Sequence, residues 1–364
     1  MPLESSKGAS KGFSLVELMV ALVIGLILTA GIINLFLGSH RSYQMNEDMS
    51  RVQENMRFAL GRLQADLRMT AFSGGIPFSV ISHLNPAGSE GISPHAAGGP
   101  AILGWEARGT GVGDEYALRA SAIGNAGDWN NGTGEGFPTA LVGAAVRGSD
   151  VLLSSGLRRL PVTLPNNATN GESIRTVGSS GIEQGRIVLI MRDDLTGGDL
   201  FQKTNSADET DITRGEGGTP GNATTTALLN HDASSVVYEA GTFAYYIGIG
   251  AGGEPGLFRR DLAALTPAQE LISGVQSMQV LYGINADGNV GASTYVTAED
   301  VTNWENVYSV RVSLLLTSDR QVQDIPSTGI YNLLGTRLQV PAGEEDARLR
   351  KVATTTVAIR NRLD

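Results

Sequence analysis

The stretch KGFSLVE at residues 11–17 leads directly into LMVALVIGLILTAGIINLFL at residues 18–37. The twenty residues from Leu18 to Leu37 carry no charge. A helix of this length spans about 30 Å, which is the thickness of the hydrocarbon core of a bilayer. A cleaved secretory signal has a shorter apolar core and a small-residue cleavage site behind it, and neither is present here. The sequence therefore predicts a retained membrane-spanning helix.

Glu17 places a carboxylate at the start of this apolar helix. A charge inside a membrane costs about 2.5 kcal/mol or more unless it has a partner. Two interpretations of Glu17 are open on physical grounds alone. The carboxylate is either solvated at the headgroup level, where it also suits a helix N-terminus, or it pairs with a cation from another chain.

The order Gly12, Phe13, Glu17 and then an apolar run, behind a leader with Lys7 and Lys11, resembles the class III signal of type IV prepilins and pseudopilins. The resemblance implies that a prepilin peptidase cleaves between Gly12 and Phe13 and that Phe13 is then N-methylated. It also implies that Glu17 pairs with the N-terminal amine of a neighbouring subunit, so that the two charges neutralise each other. The N-terminus would lie in the cytoplasm and the bulk of this single-pass inner-membrane protein in the periplasm.

A helical period continues beyond the membrane run. Apolar residues recur in steps of three and four at Val52, Met56, Leu60, Leu63 and Leu67. We predict one helix over residues 13–71, with its first half in lipid and its amphipathic second half packed on a sheet.

The remainder of the chain is predicted to be β structure with long loops. Residues 73–136 contain 15 glycines in 64 positions, and the polar residues 204–235 are expected to form a surface loop. Strands are predicted at 101–103, 116–120, 187–191, 243–249, 278–282, 307–316 and 352–359. An Asp-Gly turn at 285–289 is favoured over a calcium loop, because an EF-hand needs Gly where Val290 stands.

Composition excludes several classes of function. The 364-residue chain has a net charge of −10, which argues against a general nucleic-acid-binding protein. It contains no Cys, so disulfides, thiolate metal sites and Cys nucleophiles are excluded. The four histidines, at positions 40, 83, 95 and 231, lack metal-site spacing and are expected at the surface. We predict no catalytic residue, no metal ligand and no cofactor.

The C-terminal half resembles the PilW family of type IVa minor pilins. The resemblance rests on YYIG at 245–248, GLFRR at 256–260, MQVLYG at 278–283, VRVSLLL at 310–316 and TTTVAIRNR at 354–362, in that order. Members of that family commonly carry Cys after the first helix and after the strand that corresponds to residues 187–191. This chain has FSGG at 72–75 and RDD at 192–194 instead, so its middle region is expected to be held by packing alone.

The resemblance implies an α+β, pilin-like fold with a long N-terminal helix on an antiparallel sheet and a loop-rich β insertion. Five segments are expected: a leader at 1–12, a transmembrane helix at 13–37, an extracytoplasmic amphipathic helix at 38–72, a Gly-rich β/loop region at 73–235 and a C-terminal β region at 236–364. The basic residues of the C-terminal tail (Arg348, Arg350, Lys351, Arg360 and Arg362) are expected on a solvated strand face.

The implied function is that of a minor pilin that primes type IV pilus assembly at or near the tip and supports twitching motility and adhesion. Its partners would be other minor pilins, the major pilin, a large tip adhesin, the prepilin peptidase and the inner-membrane assembly platform. One alternative is a minor pseudopilin of a type II secretion system. A more distant alternative is a membrane-anchored periplasmic binding protein or enzyme.

Overall fold

The computed structural model describes residues 14–72, 80–85, 91–119, 122–194, 196–285, 291–323, 326, 328–359 and 361. They contain one α-helix, α1 (Leu15–Arg68). The strands are β1 (Val80–Ser82), β2 (Ile102–Ala107), β3 (Glu115–Ala117), β4 (Trp129–Asn130), β5 (Val151–Arg159), β6 (Thr169–Asn170), β7 (Ser173–Arg175), β8 (Ile187–Met191), β9 (Gly198–Gln202), β10 (Asp211–Thr213), β11 (Val236–Ile249), β12 (Pro255–Asp261), β13 (Gln269–Ser273), β14 (Val275–Ile284), β15 (Thr294–Val296), β16 (Val307–Gln321), β17 (Ile330–Leu333), β18 (Thr336–Gln339) and β19 (Arg348–Ala358).

Helix α1 confirms the predicted long N-terminal helix over nearly its whole expected range. Its sequence contains no proline, so no backbone donor is lost along its 54 residues. The buried apolar residues of its second half are Val52, Ala59, Leu63 and Leu67. Three of these belong to the predicted stripe, while Met56 and Leu60 are partly buried against the same core. The stripe is therefore a packing face, as its spacing indicates.

The end of α1 is fixed to the sheet by the backbone. Thr70 forms an isolated antiparallel bridge with Gly156 of β5, and the Ala71 N–H donates to the Ser155 carbonyl at 3.0 Å. A Cβ added to Gly156 would lie 2.1 Å from the Met69 carbonyl oxygen. Glycine is required at 156 because the helix end approaches β5 too closely for any side chain.

Strand β11 organises a nine-stranded sheet. It pairs with β5 along one edge, and with β8 and then β12 along the other. The order is β1-β9-β8-β11-β5-β2-β4, and β13 extends β12. All pairs in this sheet are antiparallel except β1 with β9. Strands from both sides of residue 235 thus form one sheet.

A second, four-stranded antiparallel sheet has the order β15-β14-β16-β19. Helix α1 packs on β19 and β16, and its apolar face joins both large sheets in one core. Two three-stranded sheets, β10-β7-β6 and β17-β18-β3, complete the fold. The α+β class is confirmed. A strand occurs at each of the seven predicted positions, and several are longer than predicted, but β3 ends at Ala117 and covers only the first two residues of the predicted 116–120.

Residues 204–235 differ from the predicted surface loop. They contain β10, and Arg214, Asn222 and His231 are almost completely buried. The polar composition that suggests a loop arises here from polar side chains that bond to one another inside the protein. The predicted turn at 285–289 falls largely outside the described residues, although β14 and β15 pair antiparallel on either side of it.

Candidate functional site

The first turn of α1 holds the described part of the predicted processing and assembly motif. Ser14 is the N-cap, and its side-chain oxygen accepts a hydrogen bond from the Glu17 backbone N–H at 3.2 Å. The Glu17 carboxylate in turn accepts a bond from the Ser14 backbone N–H through Oε2 at 2.9 Å. This reciprocal pair is a capping box. Gly12 and Phe13 lie outside the described residues.

The capping box uses only one of the two carboxylate oxygens of Glu17. The Ser14 N–H belongs to the peptide bond that follows Phe13, so cleavage before Phe13 would not remove it. The cap uses Oε2 of the carboxylate, so Oε1 takes no part in it. Both interpretations of Glu17 at the sequence level, helix-terminal acid and intermolecular partner, can therefore apply at once.

The apolar half of α1 forms an uncovered surface. Leu15, Leu28, Leu35 and Phe36 each expose more than 60% of their surface. Within the described residues, α1 is the one helix long and apolar enough to cross a membrane, and its most apolar window has no buried share. An exposed apolar surface of this size marks contact with lipid or with another protein.

The second half of α1 is fastened to the sheets by ion pairs as well as by the core. Asp48, 2% exposed, pairs with Arg320 near the end of β16 at 3.0 Å. Near the helix end, Asp66 accepts a hydrogen bond from the Tyr245 hydroxyl and pairs with Arg259 at 3.0 Å. These contacts fix the direction in which the apolar half projects away from the sheets.

Two of the four histidines contradict the surface prediction. His83 and His231 are buried, and both bond to the carboxylate of Asp199 on β9 at 2.7 Å. Arg214 contacts His83 Nδ1 at 2.5 Å. An arginine has no acceptor, so Nδ1 accepts from Arg214 and Nε2–H donates to Asp199. His40 is exposed as predicted, and His95 is half-buried.

The Asp199 cluster holds the middle of the chain together. Arg214 continues it through an ion pair with Glu172, and the Leu229 N–H donates to Asp199 at 2.8 Å. Burial raises the pKa of Asp199, but the hydrogen bonds from His231, His83 and Leu229 outweigh it and lower that pKa to about 2. The expectation of packing alone is therefore wrong, because buried polar bonds also fasten this region. Sequence reasoning missed the cluster, since its members lie up to 148 positions apart.

A separate buried site holds two acidic residues, Glu106 on β2 and Asp150. Asp150 accepts from the backbone N–H groups of Ala107 at 2.9 Å and Val280 at 2.8 Å, which ties β2 to β14. Burial, and then the nearby charge of Asp150, raise the pKa of Glu106. We assign the negative charge to Asp150, which has two N–H donors, and the proton to Glu106.

The basic C-terminal tail is also placed differently from the prediction. Arg350 is 7% exposed and bonds to Asp346 and to Gln276 of β14, and Arg348 pairs bidentately with Glu254. These cations are used inside the fold and do not form a solvated strand face. Lys351 is exposed, and Arg360 and Arg362 fall outside the described residues.

Among the described residues, no group of three or more His, Asp or Glu side chains lies together in a way that could hold a metal ion. The calcium loop weighed at 285–289 lies mostly beyond those residues. The features that distinguish this molecule are thus the uncovered apolar helix and the acid at its first turn.

Two family models match the chain. Residues 244–361 match the family described as Type IV Pilus-assembly protein W, and residues 7–33 match the prokaryotic N-terminal methylation motif. No curated protein and no solved structure matches the chain significantly. Together the two matches support a type IV minor pilin of the PilW kind, a structural protein anchored to the membrane by its N-terminal helix.

Proposed function

We propose that this chain, which its family matches support as a type IV minor pilin, primes pilus assembly and takes a place at or near the pilus tip. In this role it supports twitching motility and adhesion and has no catalytic activity. Its partners are other minor pilins, the major pilin, a large tip adhesin and the inner-membrane assembly platform.

The proposal includes one covalent maturation step. The prepilin peptidase cleaves between Gly12 and Phe13 on the cytoplasmic side, and the new amino group of Phe13 is methylated. Because the leader carries Lys7, Lys11 and Glu4, the mature chain has a net charge of −11. The bulk of the protein lies in the periplasm until the subunit enters the extracellular filament.

The observation that carries the proposal is the uncovered apolar half of α1 with Glu17 in its first turn. In the membrane this surface contacts lipid, and in the filament it packs against the helices of neighbouring subunits. During the transfer, the Glu17 carboxylate binds the N-terminal amine of a neighbour while its Oε2 still caps the helix. Pairing removes the cost of an isolated charge in an apolar environment.

Processing is tested by mass spectrometry of the chain expressed with a prepilin peptidase. We expect a mature N-terminus at Phe13 carrying one methyl group, and full-length precursor when Gly12 is replaced by Val. Gly8→Val is the matched control, because it changes a leader glycine four positions away and should leave processing intact. A Gly12→Val chain of mature size would refute the assignment.

The role of Glu17 is tested by incorporation into sheared pili. Glu17→Gln keeps an oxygen for the Ser14 N–H but removes the charge, whereas Ser14→Ala removes the cap and keeps the charge. We expect Glu17→Gln to be processed and left in the membrane, and Ser14→Ala to be incorporated. The reverse pattern would show that capping, and not charge pairing, is what assembly needs.

The priming role is tested by deletion of the gene. We expect loss of surface pili and of twitching, restored by the wild-type chain. Unchanged piliation together with a loss of protein secretion would instead favour the type II pseudopilin.

A further inference from the structure

Four arginines line a cleft beside the end of α1. Its volume is about 430 Å³, and it opens where the last turns of the helix pass over β5, β11 and β12. The arginines are Arg62, Arg158, Arg186 and Arg259. A cleft of this size takes a small ligand or a short peptide segment.

The positive charge of the cleft is only half neutralised by its own acids. Asp66 pairs with Arg259 at 3.0 Å and with Arg62 at 3.5 Å. Glu239 pairs with Arg158 and lies 3.6 Å from Arg186. Four guanidinium groups thus share two carboxylates, which leaves a charge of +2 among the lining residues and many more N–H donors than these acids can accept.

The floor of the cleft is partly apolar. The Arg259 guanidinium stacks on the Phe243 ring with its carbon 3.4 Å from the ring centroid, and it bonds to Asp66 and Tyr245 through Nε. Leu157 and Met69 also line the cleft. Above this floor the side chain of Arg158 is 71% exposed and that of Arg186 is 33% exposed, so both are within reach of an incoming group.

The position of the cleft separates it from the membrane. Arg62 lies 25 residues beyond Leu37, the last residue of the predicted transmembrane run. That distance along a helix is roughly 38 Å, which is too far for a lipid headgroup. The acidic chain as a whole repels a polyanion such as DNA, while a peptide with a few carboxylates avoids most of this repulsion.

We propose that this cleft binds an acidic peptide segment of a partner protein, with the carboxylates on Arg158 and Arg186 and an aliphatic side chain against Met69, which lines the cleft and is 38% exposed. Bidentate arginine–carboxylate bonds supply the specificity, and the apolar contact with Met69 selects a peptide over a small inorganic anion. The proposal goes beyond pilus assembly and does not depend on it.

The experiment measures fluorescence anisotropy of the full chain in detergent micelles. The probe is a labelled, end-capped peptide of alternating glutamate and leucine, and its control is the same peptide with glutamine for glutamate. We expect binding of the first peptide only, with affinity falling as salt rises. The double variant Arg158→Gln, Arg186→Gln should bind this peptide at least about tenfold more weakly than wild type.

Arg337→Gln is the matched control, because Arg337 is also exposed and also pairs with an acid, Glu115, on a different sheet. It should bind like wild type, and the Lys variants at 158 and 186 should retain part of the affinity. The proposal would be overturned if the glutamine peptide bound equally well or if the glutamate peptide did not bind. It would also be overturned if the double variant bound the glutamate peptide as tightly as wild type. Tighter binding of duplex DNA through the same two arginines would overturn it in favour of nucleic acid.

Discussion

At the scale of single residues, the buried carboxylate of Asp199 makes several hydrogen bonds that a substitution can test. It bonds to His83, His231 and the Leu229 N–H, and its folded pKa of about 2 lies below the ordinary value of 3.8. A depressed folded pKa stabilises the protein above pH 3.8, and this contribution is lost as the pH falls toward 2. Asp199 therefore contributes to stability at neutral pH.

We expect Asp199→Asn to lower the free energy of unfolding at pH 7 by about 3 kcal/mol, because the amide group cannot accept from all three donors. Chemical denaturation of both proteins between pH 7 and pH 2 measures this. The difference in the free energy of unfolding between the two proteins should shrink over the acid part of that range. Asp193→Asn, at an exposed acid, is the control and should change little. A gap that stays constant with pH would contradict the assigned charge.

The opposite pH dependence belongs to Glu106. Burial and the charge of Asp150 raise its folded pKa above the ordinary value of 4.5, so the folded state holds a proton that the unfolded state releases. The stability linked to this proton is present below pH 4.5 and is lost as the pH rises toward the raised folded pKa. Wild type should therefore lose stability on the alkaline side.

Glu106→Gln mimics the protonated form of Glu106 and should remove that loss. We expect a variant that is close to wild type at pH 4 and increasingly more stable than wild type as the pH rises to 9, measured by thermal unfolding. Glu344→Gln, at an exposed position, should follow wild type throughout. Parallel curves for Glu106→Gln and wild type would show that Glu106 is ionised in the folded protein.

At the scale of the element, the two halves of α1 differ in their contacts: the first half is exposed and the second half packs on the sheets. Leu63 is completely buried in the core, and Phe58 on the same part of the helix is 56% exposed. Leu63→Ala should cost about 2–5 kcal/mol, because it leaves a cavity between the helix and the sheets. Phe58→Ala removes a larger side chain and should cost under about 1 kcal/mol. Denaturant midpoints of the two variants check this, and equal costs would contradict the packing.

The sequence predicts most of this element. Its spacing of apolar residues and its lack of proline determine a helix, and the structure ends it at Arg68, three residues before the expected end. What the sequence does not reveal is the role of Ala59 and Gly156. Both matter because the helix approaches its neighbours closely, and closeness is a property of the packed fold.

At the scale of the whole molecule, residues 15–37 make no part of the core. A chain that begins at residue 38 should therefore be soluble without detergent and unfold at the same temperature as the full chain in micelles. A chain that begins at residue 73 loses Val52, Ala59, Leu63 and Leu67 from the core and should not fold. Circular dichroism distinguishes them, and aggregation of the first chain would contradict the two-part helix.

The sequence by itself determined the elements that rest on local pattern: the apolar run, the amphipathic stripe, the places of seven of the nineteen strands and the motif around Glu17. These elements follow from the periodicity of apolar residues and from interactions between residues that are close in sequence. Only the tertiary structure decided that His83, His231, Arg214 and Arg350 are buried and paired. Their partners lie far away in sequence, and the free energy that permits burial of a polar group comes from partners that folding brings together.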